Sequence, residues 1–377
     1  MAMSFDIQTA LRTGLEKVAY MESHLDEFPH TTKNGAWLTH KTGHWTGGFW
    51  IGLLWLKSLH SSNATEDQAE ALRWAMQLRA RKTDNKTHDQ GFIFGPSCVL
   101  GNRICGATEL VEMALCGAHN MIDLYKEKSG LILAWDEPNY EGVAIVDTIM
   151  NLPLLLWAAE HEENPVFKGV AATVASNIAK HHVRPDYSTI HKVRWDTNSY
   201  EVVEKSTHQG YSPDSCWSRG QAWALYGYAN MYRYTGDSCY INMSAGLAEY
   251  FWTHLDDEVA LPRWDFHFKN HTDQPFDSSA ASIAAAGMLL LAEMLRRRGD
   301  LSGFDLWVKR GKYLLASLYT NCRYSDITKF GILEKATVDK PHNSGIGEST
   351  MYGDYYFMEA LYRLLNVNTP KSLDLLY

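Results

Sequence analysis

Val146-Asp147-Thr148-Ile149-Met150-Asn151-Leu152-Pro153-Leu154-Leu155-Leu156-Trp157-Ala158-Ala159-Glu160 decides the fold. A helix resting on a core by one face shows an apolar stripe and a charged opposite side, but this stretch is apolar on nearly every side, as a helix enclosed by partners is. Pro153 falls in its first turns, where a missing N–H is tolerated. Working outward, segments that open with aromatic, glycine or acidic residues and run into an apolar helix recur six times. They stand at Trp45-Thr46-Gly47-Gly48-Phe49-Trp50, His88-Asp89-Gln90-Gly91-Phe92, Asp147-Thr148-Ile149-Met150-Asn151, Trp217-Ser218-Arg219-Gly220-Gln221, Asp277-Ser278-Ser279 and Tyr352-Gly353-Asp354-Tyr355-Tyr356. Their starts lie about 45 to 75 residues apart, which exceeds one helix and fits a helical hairpin with its loops. Plainer amphipathic stretches at 6–20, 68–79, 107–125, 166–181, 240–255 and 304–318 alternate with them. Six decorated helices lining the middle and six plain ones covering them form a closed double ring. The expected class is all-α, an (α/α)6 barrel of six inner and six outer helices.

No Pro/Gly/Ser-rich linker or charge block interrupts the 377 residues, so residues 1–377 are read as one domain. A hydrophobic share of 45% with 13 Trp and 20 Tyr suffices for a core and leaves amphipathic rings for a ring-binding cleft, of which carbohydrate is the obvious occupant. The net charge of −9, without a basic block, argues against a nucleic-acid partner. A local Arg can still receive a small anion. No stretch approaches about 18 uninterrupted apolar residues, so no membrane span is expected. Met1-Ala2-Met3-Ser4-Phe5-Asp6 carries no basic region followed by an apolar run, and no secretory leader is expected there. Six irregularly scattered cysteines read as small buried hydrophobes of a reducing cytoplasm. Strand signals are few; 188–196 reads as a short hairpin or irregular loop at the barrel mouth. Glycine stops end the helices 217–234 and 279–298 at Gly236 and Gly299.

The chemistry is expected where the decorated helices begin, because those ends crowd together at one mouth. Asp89 and Asp147 stand there. An acid at a helix start commonly caps it. Against an apolar wall and a second carboxylate, the same acid is held protonated and becomes a general acid near neutral pH. Arg219, between Trp217 and Trp223, either offers a planar fork to a carboxylate or is a structural cation stacked on Trp and paired with an acid. His88 and His191 have the same two readings, contact or structural hydrogen bond. Asp277 reads as an N-cap, and the Tyr352-Gly353-Asp354-Tyr355-Tyr356 start as a packed lining of the mouth. Among 16 His there is no His-Glu-x-x-His, and no Cys-x-x-Cys, phosphate loop, dinucleotide fingerprint or Gly-x-Ser-x-Gly occurs; no metal and no cofactor are expected.

Together with Thr207-His208-Gln209-Gly210 and Trp217 through Trp223, these motifs resemble, in order from about Pro29 to Leu365, the unsaturated glucuronyl hydrolases of glycoside hydrolase family 88. The resemblance implies an (α/α)6 barrel, no metal, and a partner that is an unsaturated uronic-acid-containing oligosaccharide released by a polysaccharide lyase. It makes Asp147 the general acid/base and Asp89 its carboxylate partner. His88, His191 and Gln209 become substrate contacts, Arg219 the holder of the uronate carboxylate, Trp45 and Trp223 ring-packing positions, and Trp135 a platform for the next sugar. His44 stands where acidic residues are common in the family. The implied mechanism is hydration of the C4=C5 vinyl ether, with protonation at C4, water addition at C5 and collapse of the linkage. An ordinary two-carboxylate glycosidase, an unsaturated rhamnogalacturonyl hydrolase, a sugar-binding barrel and an epimerase are the competing readings. Members that accept heavily sulfated fragments resemble one another in a Ser-x-x-Ser-x-Lys cluster before the Tyr-Gly-Asp-Tyr-Tyr helix. The stretch from Val338 to Ser349 lacks it and carries Glu348, so an unsulfated substrate is expected to be preferred.

Overall fold

The computed structural model describes residues 5–369 and 371–376, so the N-terminal reading at residues 1–4 lies outside the described residues. Among the described residues, the inner ring is formed by Gly47–Ser58, a composite helix, Thr148–His161, Ser218–Thr235, Ser278–Arg297 and Met351–Leu365. The composite helix runs through Gln90–Phe94, a π-turn at Gly95–Val99 that contains Pro96, and Leu100–Cys105. Each inner helix packs on the next, and the last returns to the first. The outer ring, Ile7–Glu22, Ala64–Gln77, Thr108–Asp123, Pro165–His182, Ser238–Thr253 and Leu301–Asn321, covers them.

The difference between rings follows from burial. Thr148–His161 is buried at every position from Thr148 to Ala158, and Ser278–Arg297 from Ser278 to Leu295. The latter is long and apolar enough by composition to cross a membrane, with a mean hydropathy of 1.6, but that whole window is buried inside the barrel. Inner helices pack backbone to backbone at glycines. A Cβ on Gly48 would meet the Phe92 carbonyl oxygen at 2.2 Å, and one on Gly91 would meet Asn151 Cα at 2.5 Å. Where the ring carries charge, the charge is matched. Arg363, fully buried, donates to Glu359 at 2.9 Å and to the Tyr226 hydroxyl at 2.9 Å and pairs with Glu293 at 3.3 Å, joining three inner helices.

Helix ends follow local chemistry. Asp237, Asp277, Asp300 and Thr350 accept backbone N–H groups as N-caps, and Gly236 ends its helix in the left-handed region at φ 71°. Pro153 departs from its expected place: it is the sixth residue of its helix, so its ring removes the hydrogen bond that Ile149 would otherwise accept. The second departure is the number of short antiparallel hairpins at the mouth, of which the sequence indicated only the one that includes 188–196. Phe28–Lys33 pairs with Ala36–His40, Lys192–Trp195 with both Val143–Ile145 and Val202–Ser206, and Ala336–Asp339 with Ser344–Glu348.

Candidate active site

Strand pairing builds the site. Ile145 lies opposite Lys192, and just beyond that pair the Val146 N–H donates to the His191 carbonyl at 2.9 Å. This brings Asp147, the residue preceding the Thr148–His161 helix, beside His191. Asp147 holds the N-cap place in helical geometry (φ −56°, ψ −26°), and its side chain makes no cap bond. Its Oδ2 is buried without a hydrogen-bond partner, 3.8 Å from His191 Nε2. Burial pushes the Asp147 pKa up to about 7, with the Arg219 charge opposing the shift and Asp89 adding to it. The capping reading of Asp147 is therefore set aside.

His191 faces Asp147 in a defined form. The backbone N–H groups of His208 and Gln209 point at its Nδ1 from 3.2 and 3.3 Å. Two donors at Nδ1 require a lone pair there, which assigns the ring hydrogen to Nε2, the atom turned toward Asp147. Burial, then the neighbouring His208 and Arg219, hold its pKa well below the usual value, so the ring is neutral.

Asp89 precedes the composite inner helix at Gln90. Thr87 donates its hydroxyl to Asp89 Oδ2 at 2.6 Å, and His88 Nε2 lies 3.4 Å from Oδ1. His88 is itself buried and fixed by Thr148 Oγ1 at 2.8 Å from Nδ1, which ties the Asp89 segment to the residue after Asp147. The residues Asp89 and Asp147 are each 8% exposed. Asp89 opens onto a cavity of 410 Å³ walled by Trp45, Trp135, Tyr140, His44 and His208. A larger surface groove, 590 Å³ between His24, Trp37 and Phe330, contains none of these residues.

Two residues expected at the sugar are engaged with protein groups. The Arg219 guanidinium is buried, its terminal nitrogens committed to Asp277 at 2.7 Å and to the carbonyls of Thr337 and Val338 at 2.6 and 2.5 Å. It stacks over Trp217, with its carbon 4.4 Å from the ring centroid. A cation this enclosed needs a fixed counterion, which Asp277 supplies; the guanidinium also braces the Ala336–Asp339 strand and sends its field to Asp147. Trp223 is 1% exposed, its ring covered by Phe92 and Tyr356 at 4.8 and 5.5 Å, and offers no face to a sugar. Being the sixth residue of its helix, it lies at the depth where inner helices pack. Gln209 is half-buried and donates its amide to the Val338 carbonyl at 2.8 Å. Trp45 and Trp135 do line the cavity; Trp45 stacks on Tyr352 at 5.0 Å. Sequence reasoning missed Tyr140 and the cavity-facing role of His208, although the turn that carries His208 is one of the quoted motifs.

No protein-family model matches the chain. The chain is 30% identical over 370 residues to an unsaturated glucuronyl hydrolase of Formosa agariphila, covering 95% of this chain and 90% of that protein. It is 31% identical to an unsaturated chondroitin disaccharide hydrolase of Streptococcus pyogenes, at 95% and 91% coverage. The chain belongs to the unsaturated glucuronyl hydrolase family. A solved family structure, an unsaturated glucuronyl hydrolase specific for heparin, superposes with a TM-score of 0.90 at 29% identity, covering 98% of this chain and 99% of that one. The double helical ring of this unsaturated glucuronyl hydrolase family member is thus the (α/α)6 barrel expected from the sequence.

Proposed function

We propose that this chain removes the non-reducing-end 4,5-unsaturated uronic acid from lyase-generated oligosaccharides by hydrating the C4=C5 vinyl ether. The observation that carries the mechanism is the bare Oδ2 of Asp147, buried at the foot of an apolar helix with its pKa near 7. A carboxyl held partly protonated at neutral pH can deliver a proton to C4. Positive character then develops at C5 and the ring oxygen, and the Asp89 carboxylate, held by Thr87 and His88, supplies the opposing charge. Water adds at C5 and returns its proton to the Asp147 carboxylate, so one proton is consumed and one regained. The neutral His191 Nε2–H faces that carboxylate and stabilises it between the two steps. The hemiketal at C5 opens, the anomeric carbon becomes a hemiacetal, and the linkage breaks. The proton cycle asks nothing of a metal.

Trp135 and Trp45 supply faces for pyranose rings at the cavity wall. A pure sugar binder has no use for a buried acid whose oxygen lacks a partner, since that group destabilises the ionised fold. The deciding measurement is loss of the ultraviolet absorbance of the conjugated double bond on a panel of unsaturated disaccharides. Equal cleavage of the saturated glucuronide would overturn the hydration mechanism.

A further inference from the structure

His208, Asp339 and His342 meet at the rim of the cavity. One ligating atom from each lies within 4.8 Å of the others. His208 Nε2 is 3.7 Å from Asp339 Oδ2, His342 Nδ1 is 2.9 Å from both Asp339 oxygens, and the two rings lie 4.7 Å apart. We propose that these three side chains bind a single first-row divalent cation of the zinc type, clamping the 207–210 turn to the hairpin formed by Ala336–Asp339 and Ser344–Glu348.

Donors about 2.0 to 2.2 Å from a tetrahedral zinc stand roughly 3.3 to 3.5 Å from one another, so the His208–Asp339 separation needs almost no adjustment and His342 a shift of about half an ångström. Two imidazoles and one carboxylate are a fitting set for zinc, nickel or copper and a poor one for magnesium or calcium. The framework is fixed from both sides. Asp339 is paired with Ser344 and accepts the His342 backbone N–H at 3.2 Å. His208 is held by its own N–H on His191, and the neighbouring Gln209 amide by Val338. An Asp–His pair three residues apart in a hairpin turn is by itself an ordinary surface ion pair. The added feature is a second imidazole, carried on a separate segment, with its nitrogen turned to the same carboxylate.

His208 also walls the sugar cavity, 6.4 Å from the Trp135 ring. A bound cation would therefore fix the rim and place positive charge beside the path of the anionic uronide, offsetting the cavity carboxylates and lowering KM. This consequence, unlike the site, rests on the proposed sugar-cleaving function.

The test is calorimetric titration of Zn²⁺ into the chelator-stripped full chain at pH 7.5, with thermal melts confirming that the variants His342→Ala and Asp339→Asn are folded. One equivalent bound, with affinity reduced at least tenfold in both variants, is the expected result. Absence of binding, or binding unaltered in both folded variants, overturns the site. In the activity arm, Zn²⁺ is expected to lower KM of the unaltered chain and not that of His342→Ala. Binding with unchanged KM overturns the rim effect, and a chain inactive on all unsaturated disaccharides counts against the proposed function while the titration still decides the site.

Discussion

His191 Nε2 stands 3.8 Å from Asp147 Oδ2, and neither atom has a hydrogen-bond partner. A donor and an acceptor left facing each other at that distance form a gap into which a reacting group or a water can be received. Several other polar groups of the mouth are tied down: Asp277 by Arg219, Ser279 and Thr337, Gln209 by Val338, and Asp354 by two N–H groups.

The protonated Asp147 is the acid of the first step, so turnover is expected to fall as pH rises through about 7. Asp147→Asn keeps the shape and loses both proton transfers. Its turnover is expected to drop by at least the roughly 10² to 10⁴ of one general acid-base contribution, with disaccharide binding largely retained. Steady-state rates from pH 5 to 9, together with calorimetric binding, check this; near-normal turnover of the Asn variant would remove Asp147 from the chemistry.

The same group has a stability signature. Its folded pKa is raised above the unfolded value near 3.8, so its contribution is fully present below that value and is lost as pH rises through about 7. Asp147→Asn cannot ionise and is expected to be more stable than the unaltered chain at pH 8, on the order of a few kcal/mol, with the difference vanishing toward pH 4. Denaturant unfolding at the two pH values is the measurement. A variant less stable at pH 8 would contradict the burial of that charge.

Arg219→Met strips the counterion from buried Asp277 and is expected to cost about 3–5 kcal/mol, part of it recovered by adding Asp277→Asn. Because Arg219 opposes the raised pKa of Asp147, the alkaline limb of the rate profile should also move to higher pH. If instead stability is unchanged and only KM rises, the guanidinium holds the uronate directly.

The two tryptophans separate in the same way. Trp135 is half-buried on the cavity wall, and Trp135→Ala is expected to raise KM with little change in stability. Trp223→Ala empties a packed site between inner helices and is expected to cost about 3–5 kcal/mol. Equal effects of both on KM, with both folds intact, would restore Trp223 to the cavity.

Inner helices are readable in the sequence because enclosure removes the amphipathic stripe, as in 148–161, and their starts carry the two acids. Partners are harder to read. Asp277 lies 58 residues beyond Arg219 and the Val338 carbonyl 119 residues beyond, and nothing local distinguishes a guanidinium aimed at substrate from one aimed at them. Apart from the one at 188–196, the mouth hairpins are hidden for another reason. Their strands are short and bulged, between Pro29 and Thr31 and between Ala336 and Thr337, so the alternation of inward and outward residues is broken within a few positions. His191 shows the cost: its place beside Asp147 depends on three residue pairs between Val143–Ile145 and Lys192–Trp195.

Sulfation provides the last test. Asp84, Asp89 and Glu137 line the cavity, and its two strong cations are spent on acids: Arg81 lies 2.7 Å from Asp84, and Lys86 lies 3.1 Å from Asp136. Glu348, on the hairpin behind, is held by the Thr32 hydroxyl and the Asn34 N–H. A sulfate entering here meets carboxylates with no uncommitted guanidinium to offset them, and like charges in a partly desolvated cleft are costly. The catalytic efficiency on an unsulfated unsaturated disaccharide is therefore expected to exceed that on its sulfated counterpart at low salt. The gap should narrow as added salt screens the repulsion between the exposed charges. Rates on the matched pair across a salt series test both statements. A clear preference for the sulfated sugar that weakens with salt would mean that attraction, with Lys86 or His208 as its source, governs the cavity.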